Sequence, residues 1–265
     1  MSTTISAGLV KELRDATGAG MMDCKRALEE TGGDLEAART LLRERGMASA
    51  GKRAGRETTE GLVGFILDGG VGSIVGIGCE TEPVSKSDEF QEFAIAVLRG
   101  VHADGPEAIE SFEEQRIELI AKLGENIVVV KPTRFEASEG HVLGAYAHPP
   151  ANKIGVLVEL DGGSDELARQ LAMHISFAAP EWTTRDDVPT DVLAAERSIF
   201  ENTDEVQSKP EAAREKIVDG MLNKRFYAES VLSGQAWIHD TSLTVSKALA
   251  EGGLELVDYV WFSVG

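Results

Sequence analysis

The residues most open to a chemical reading lie between Gly46 and Arg53. There Gly46-Met47-Ala48-Ser49-Ala50-Gly51-Lys52-Arg53 nearly fits the phosphate-binding pattern G-x-x-x-x-G-K-[S/T]. In that pattern glycine-rich backbone cradles phosphates, the lysine reaches them and a hydroxyl holds Mg²⁺. Arg53 stands where the hydroxyl belongs, and a helical pattern rather than a strand precedes it, so no nucleotide site is expected. The two cysteines, Cys24 and Cys79, form no Cys-x-x-Cys pair, which leaves structural zinc and a disulfide framework without a basis. Cys79, beside Glu80, has no assigned base and reads as a buried strand thiol. His102, His141, His148, His174 and His239 are scattered, and no H-E-x-x-H or G-x-S-x-G run occurs. Gly69, Gly70, Gly72, Gly76 and Gly78 miss the dinucleotide-binding spacing and read as hairpin and bulge glycines. Such a chain is expected to bind a partner and to carry no catalytic residue, cofactor or metal.

The elements that would position a binding surface begin with an all-helical stretch to about residue 55. Leu9, Val10, Leu13 and Ala16 make one apolar stripe, broken by Thr17-Gly18-Ala19-Gly20. Met21, Cys24 and Leu28 share a face of a second helix, which Gly32-Gly33 terminates. Asp34 is placed to N-cap a third helix with inner face Leu35, Ala38, Leu41 and Leu42, and Gly46 is its expected C-terminal stop. So small a helical core is marginal alone, which favours firm partners. Gly51–Glu60, polar and basic, reads as a linker.

Charge divides the chain the same way. The formal net charge is −19, but residues 1–56 carry +2 and the remainder −21. An acidic body repels phosphates, so direct nucleic-acid binding is not expected, although acidity also serves plain solubility. Ile127–Val130 and Ile154–Leu160, the longest apolar stretches, are too short to span a bilayer. The start Met-Ser-Thr-Thr-Ile-Ser does not resemble a signal peptide, and a reducing cytoplasm is the expected location.

Beyond the linker the sequence repeats itself. Glu60-Gly61-Leu62-Val63 recurs as Glu139-Gly140-His141-Val142, and Ser87-Asp88-Glu89-Phe90 as Ser164-Asp165-Glu166-Leu167, at offsets of 79 and 77 residues. Each copy reads as strand (Leu62–Leu67; Val142–Ala147), turn, strand (Gly72–Cys79; Ile154–Leu160) and helix (Ser87–Val101; Ser164–Ala178). The expected fold class is α+β, with three parts: a three-helix domain and linker over 1–55, a first core copy over 56–138 and a second over 139–265. Within the second copy, residues 188–224 read as an antiparallel helical hairpin. Val192, Ile199 and Val206 are spaced by sevens, as in a short coiled-coil arm, and an ordinary helix pair fits equally well.

Leu13-Arg14-Asp15-Ala16-Thr17-Gly18-Ala19-Gly20-Met21-Met22-Asp23-Cys24-Lys25-Arg26-Ala27-Leu28 closely resembles the N-terminal signature of the bacterial elongation factor Ts family. Cys79–Val84, Lys153–Val158, Met173-His174-Ile175, Lys216–Phe226 and Gly234-Gln235 resemble further family motifs along the chain. The family's architecture has a three-helix domain like ubiquitin-associated domains, a duplicated core and a protruding helical hairpin. The resemblance implies a guanine-nucleotide exchange factor that binds the translational GTPase elongation factor Tu and releases its GDP without covalent chemistry.

By position, the resemblance places Met21, Met22, Lys25 and Arg53 against the GTPase's nucleotide-binding domain. Ile154, Gly155 and His174 would add contacts, and Thr81, Glu82, Pro83 and Val84 would sit where Mg²⁺ coordination is disturbed. The residues themselves leave other readings open: Met21 as partly core, Lys25 as a solvated cation, His174 as a satisfied core histidine. One departure stands out. Glu82-Pro83 occupies the place of the family's usual Asp-Phe, whose ring is expected to wedge between GTPase helices. Two competing readings remain: a ubiquitin-associated-type binding module without exchange activity, tested by ubiquitin pull-down, and an NTPase using Gly46–Arg53, tested by GTP or ATP binding.

Overall fold

The computed structural model describes residues 5–265. The first three helices are α1 (Ala7–Thr17), α2 (Met21–Glu30) and α3 (Leu35–Arg53). Three of their ends have a clear local cause. The Ser6 side chain accepts from the Leu9 N–H, and the Asp34 side chain from the Ala37 N–H. Gly18, at φ +67°, ends α1 in the left-handed conformation that costs glycine nothing. Val10, Leu13, Cys24, Ala27, Leu28 and Ala38 form their common core. Met21, expected to share that core, is instead 50% exposed.

Gly46 does not stop α3. The helix runs on for two more turns, and a Cβ at Gly46 would lie 3.1 Å from that of Ala121 on α6 (Glu113–Leu123). The glycine therefore serves a close helix–helix approach, beside the exposed Arg43–Glu114 pair at 2.7 Å. The expected linker from Gly51 shrinks accordingly, since Gly51–Arg53 belong to α3. The P-loop-like residues are helical and make no phosphate-cradling loop.

Two three-stranded antiparallel sheets follow. The first has order β1 (Glu60–Asp68), β2 (Val71–Cys79), β3 (Val128–Glu136), and the second β4 (His141–Ala147), β5 (Ile154–Asp161), β6 (Glu255–Ser263). Both expected hairpins are present, with Asp68 paired to Val71 and His141 to Asp161. A helix follows each hairpin: α5 (Asp88–Asp104), capped by Ser87, and α7 (Asp165–Ala178), capped by Ser164. The short α4 (Glu82–Ser85) lies between β2 and α5.

Successive strand residues face opposite sides, and here both sides are covered. Val75, Ile77 and Cys79 pack with Phe90, Phe93 and Val97 of α5. Val156, Val158 and Leu160 pack with Leu171 and Ile175 of α7. The opposite faces meet sheet to sheet through Val63, Ile74, Ala145, Leu157, Phe262 and Val264. Gly72 and Gly76 lie in that interface, where a Cβ would crowd Leu157 at 2.9 Å and Phe262 at 2.7 Å. Of the glycines read as hairpin or bulge residues, Gly69 and Gly70 make the turn and Gly76 adjoins a register shift, while Gly72 serves sheet packing.

The helical excursion of the second half comprises α8 (Thr190–Glu201), α9 (Asp204–Gln207), α10 (Glu211–Met221), a π-turn over Leu222–Phe226, and α11 (Tyr227–Ser230). Its core is Val188, Phe200, Val206, Val218, Met221, Leu222, Phe226 and Val231. The sevenfold stripe is not a coiled-coil seam: Ile199 is 57% exposed, and its neighbour Phe200 points inward instead. The last helix is α12 (Val245–Glu251). No helix among the described residues is long and apolar enough to cross a membrane.

Candidate functional site

The surface of α2 carries the first group of sequence-marked residues. Cys24, Ala27 and Leu28 turn inward, so Met21 and Met22 at the helix start and Lys25 one turn on face out. Met22 is 62% exposed. An exposed pair of unbranched thioethers is an adaptable apolar contact. Lys25 lies 3.7 Å from Glu29, an exposed pair contributing little to stability. Arg53, at the end of α3, is half-buried and bonds the Ser49 hydroxyl, leaving its buried Nε without a partner.

The second group is the hump between β2 and α5. Thr81, Glu82 and Pro83 are exposed, whereas Val84 packs partly into the core beneath. Proline fits the first turn of α4, where its missing N–H costs no helical bond. Glu82 pairs with Lys86 at 2.6 Å, and that cation holds its carboxyl below the ordinary carboxylate range. The chain entering β5 comes close: Lys153 pairs with Glu60 at 2.6 Å and donates to the Thr59 carbonyl, while Thr59 donates to that of Glu80. The hump, the chain entering β1 and the start of β5 are thereby neighbours. Its base is held by Glu125 and Asn126, which no spacing in the sequence links to it.

Two of the expected contact residues are buried in the free chain. Gly155 is buried between the sheets, where a Cβ would overlap Val63 and lie 2.8 Å from Ile74. Only its half-buried neighbour Ile154 retains surface. His174 has 0% exposure. Its Nε2 faces the Gln235 Oε1 at 3.0 Å, its Nδ1 accepts from the Ile238 N–H at 3.4 Å, and its ring stacks on Trp237. The neutral tautomer with hydrogen on Nε2, assigned from these partners, satisfies both nitrogens. Burial lowers its pKa, outweighing the Gln235 bond, and His239 lowers it further.

A pH dependence follows from that lowered pKa. Below the ordinary value of 6.5 the unfolded chain takes up a proton that the folded His174 refuses, so stability falls as pH drops from there toward the folded pKa. Each unit of lowering corresponds to about 1.4 kcal/mol. Urea midpoints measured between pH 7.5 and 5 are expected to fall less steeply for His174→Gln than for the parent. Parallel curves would remove His174 from the pH response.

Both thiols are buried. Burial, reinforced by the Glu125 carboxylate, pushes Cys79 up to about 12, so it is a neutral packing group at physiological pH. Among the described residues, no group of three or more His, Cys, Asp or Glu side chains is arranged to hold a metal ion.

The arrangement is that of an α+β protein whose marked residues are displayed on a helix face and a hump, or buried as support, rather than gathered round a cleft. A model of the family described as Elongation factor TS matches residues 80–265. The chain is 40% identical over 271 residues to elongation factor Ts of Idiomarina loihiensis, covering 98% of this chain and 91% of that protein. It is 42% identical over 274 residues to that of Thioalkalivibrio sulfidiphilus, covering 99% and 92%. For Alkalilimnicola ehrlichii the figures are 41% over 273 residues, 98% and 92%. The chain belongs to the elongation factor Ts family, and its role is in the elongation stage of protein biosynthesis.

Proposed function

We propose that the protein binds elongation factor Tu in its GDP-bound form and promotes GDP release, acting as an exchange factor without a chemical active site. The observation that carries this reading is the exposed Thr81-Glu82-Pro83 hump, anchored by its flanks. A rigid projection is what displacing ion and nucleotide ligands in a partner requires, because a floppy one would lose ordering entropy on contact. No bond need be made or broken. The factor binds the nucleotide-free GTPase more tightly than the GDP form, and GDP and Mg²⁺ are weakened to the same degree by reciprocity. Each tenfold loss of nucleotide affinity requires about 1.4 kcal/mol of differential contact.

Within this reading residues 1–55 are the docking domain, with Met21, Met22, Lys25 and Arg53 as its contacts. Residues 56–138 and 139–265 are the two core copies. The hump disturbs Mg²⁺, Ile154 adds a contact, and Gly155 and His174 act only as support. The factor needs no cofactor and works in the cytoplasm, without membrane or direct nucleic-acid contact. The test is release of a fluorescent GDP analogue from the cognate GTPase, with and without the protein. Release at least tenfold faster at saturation is expected. Stable binding with unchanged release would leave a binding module only.

A further inference from the structure

Thr81 is exposed, yet all its polar groups are held by the protein. The Glu125 carboxylate, in the turn after α6, accepts from the N–H groups of Glu80 (3.1 Å) and Thr81 (3.0 Å) and from the Thr81 hydroxyl. The Thr81 carbonyl accepts from the Cys79 thiol at 3.4 Å and from the Ser85 N–H at 3.2 Å. Glu80 returns the arrangement: its carboxylate accepts from the Asn126 N–H at 2.7 Å and from the Arg56 guanidinium at 3.4 Å. Asn126, 1% exposed, donates its amide to the Arg56 carbonyl at 2.8 Å. Two adjacent residues after α6 thus clasp both the start of the hump and the chain leaving α3.

Thr81 itself shows that this clasp competes with ordinary helix chemistry. A threonine in the N-cap position commonly accepts from an N–H in the first helical turn. Thr81 makes no such bond, and its hydroxyl is turned back to Glu125. A charged acceptor of three donors outcompetes one neutral cap.

We propose that Glu125 is a positioning residue for nucleotide exchange, holding Glu82 and Pro83 in the single pose that meets the GTPase. This rests on the reading of Thr81–Val84 as the displacing element. Through Glu80 and Arg56 the clasp also ties that pose to the end of the docking helices. Without Glu125 the hump samples other poses, and the rate falls with the competent fraction. Docking through α2 is untouched.

The test pairs Glu125→Ala with Glu125→Gln, measuring GDP-analogue release against factor concentration and amide hydrogen exchange in the free protein. The alanine variant is expected to lose at least tenfold in maximal release rate, with the half-saturating concentration within twofold of the parent. Glutamine keeps an oxygen acceptor and should restore the rate to within threefold. Exchange at the Glu80 and Thr81 amides should rise at least tenfold in the alanine variant. Parental release by Glu125→Ala would overturn the proposal. So would equal loss in both variants while the Glu80 and Thr81 amides of the glutamine variant keep parental protection, or a rate loss accompanied by an equal loss of half-saturation and a lowered urea midpoint, which assigns it a merely structural role. If the parent protein itself fails to accelerate release, the exchange reading falls and takes the positioning role with it. Amide exchange then decides the clasp separately, and unchanged protection in Glu125→Ala would overturn that too.

Discussion

Gly155→Val is expected to cost the protein roughly 2–3 kcal/mol of stability while leaving exchange per folded molecule nearly intact. The inner face of β5 meets β1 and β2 so closely that a Cβ at residue 155 would overlap Val63 and stand 2.8 Å from the Ile74 Cδ1. Both neighbours are buried at 3% exposure or less and belong to the core between the sheets, so neither has open space to enter. Valine would force the sheets apart or drive several side chains off their preferred rotamers. Against a typical total of about 5–15 kcal/mol, such a loss is readily seen as a lower urea midpoint with an unchanged slope. Measured well below the variant's melting temperature, GDP release should fall only with the folded fraction. A variant of parental stability that no longer engages the GTPase would restore Gly155 to the binding surface.

The same interface explains which parts of the fold are legible in the sequence. The hairpins are readable because Gly69-Gly70 and the Pro149–Asn152 turn punctuate apolar runs, and the helices after them because Ser87 and Ser164 cap their starts. Ile154–Leu160 is nearly unbroken in its apolarity because sheet and helix bury its two faces. The third strands are hidden for different reasons. In β3, Pro132 and the positive φ of Lys131 interrupt the pattern beside a register shift. In β6 the pairing partner lies about a hundred residues upstream, beyond the entire helical excursion.

The site is less legible than the fold, because several residues carry one signal and serve another purpose. Gly46 has the look of a helix stop but is a helix contact, two roles that demand the same small residue. His174 sits in a family motif, yet its partners Gln235 and Ile238 lie more than sixty residues on and hold it in the interior. Met22 and Pro83 were marked by resemblance and are displayed. Glu125 carries no local signal at all, because its role exists only where the chain returns to Thr81 after 44 residues.

Position 83 is where the resemblance marks a departure from the family's usual phenylalanine, and where one substitution should do most for activity. Pro83→Phe is expected to accelerate GDP release from elongation factor Tu about five- to thirtyfold, equivalent to roughly 1–2 kcal/mol. The residue is exposed on the hump, while Val84 beside it is committed to the core, so an aromatic ring at 83 would be displayed. Phenylalanine offers a larger apolar body than proline and a flat face for insertion between helices. At about 25 cal/mol per Å² the added contact of several tens of Å² is enough to reach that gain. The local loss is small. Proline presets φ in the first turn, worth about 0.4–1 kcal/mol through the unfolded chain, and its replacement restores an N–H that solvent can bond. The Glu125 clasp does not involve residue 83 and stays in place. Pro83→Ala separates shape from size: slower release than the parent means the proline already acts as a blunt wedge. Parental rates for both variants would remove position 83 from the mechanism and shift the displacing contact to Glu82 or to the other core copy.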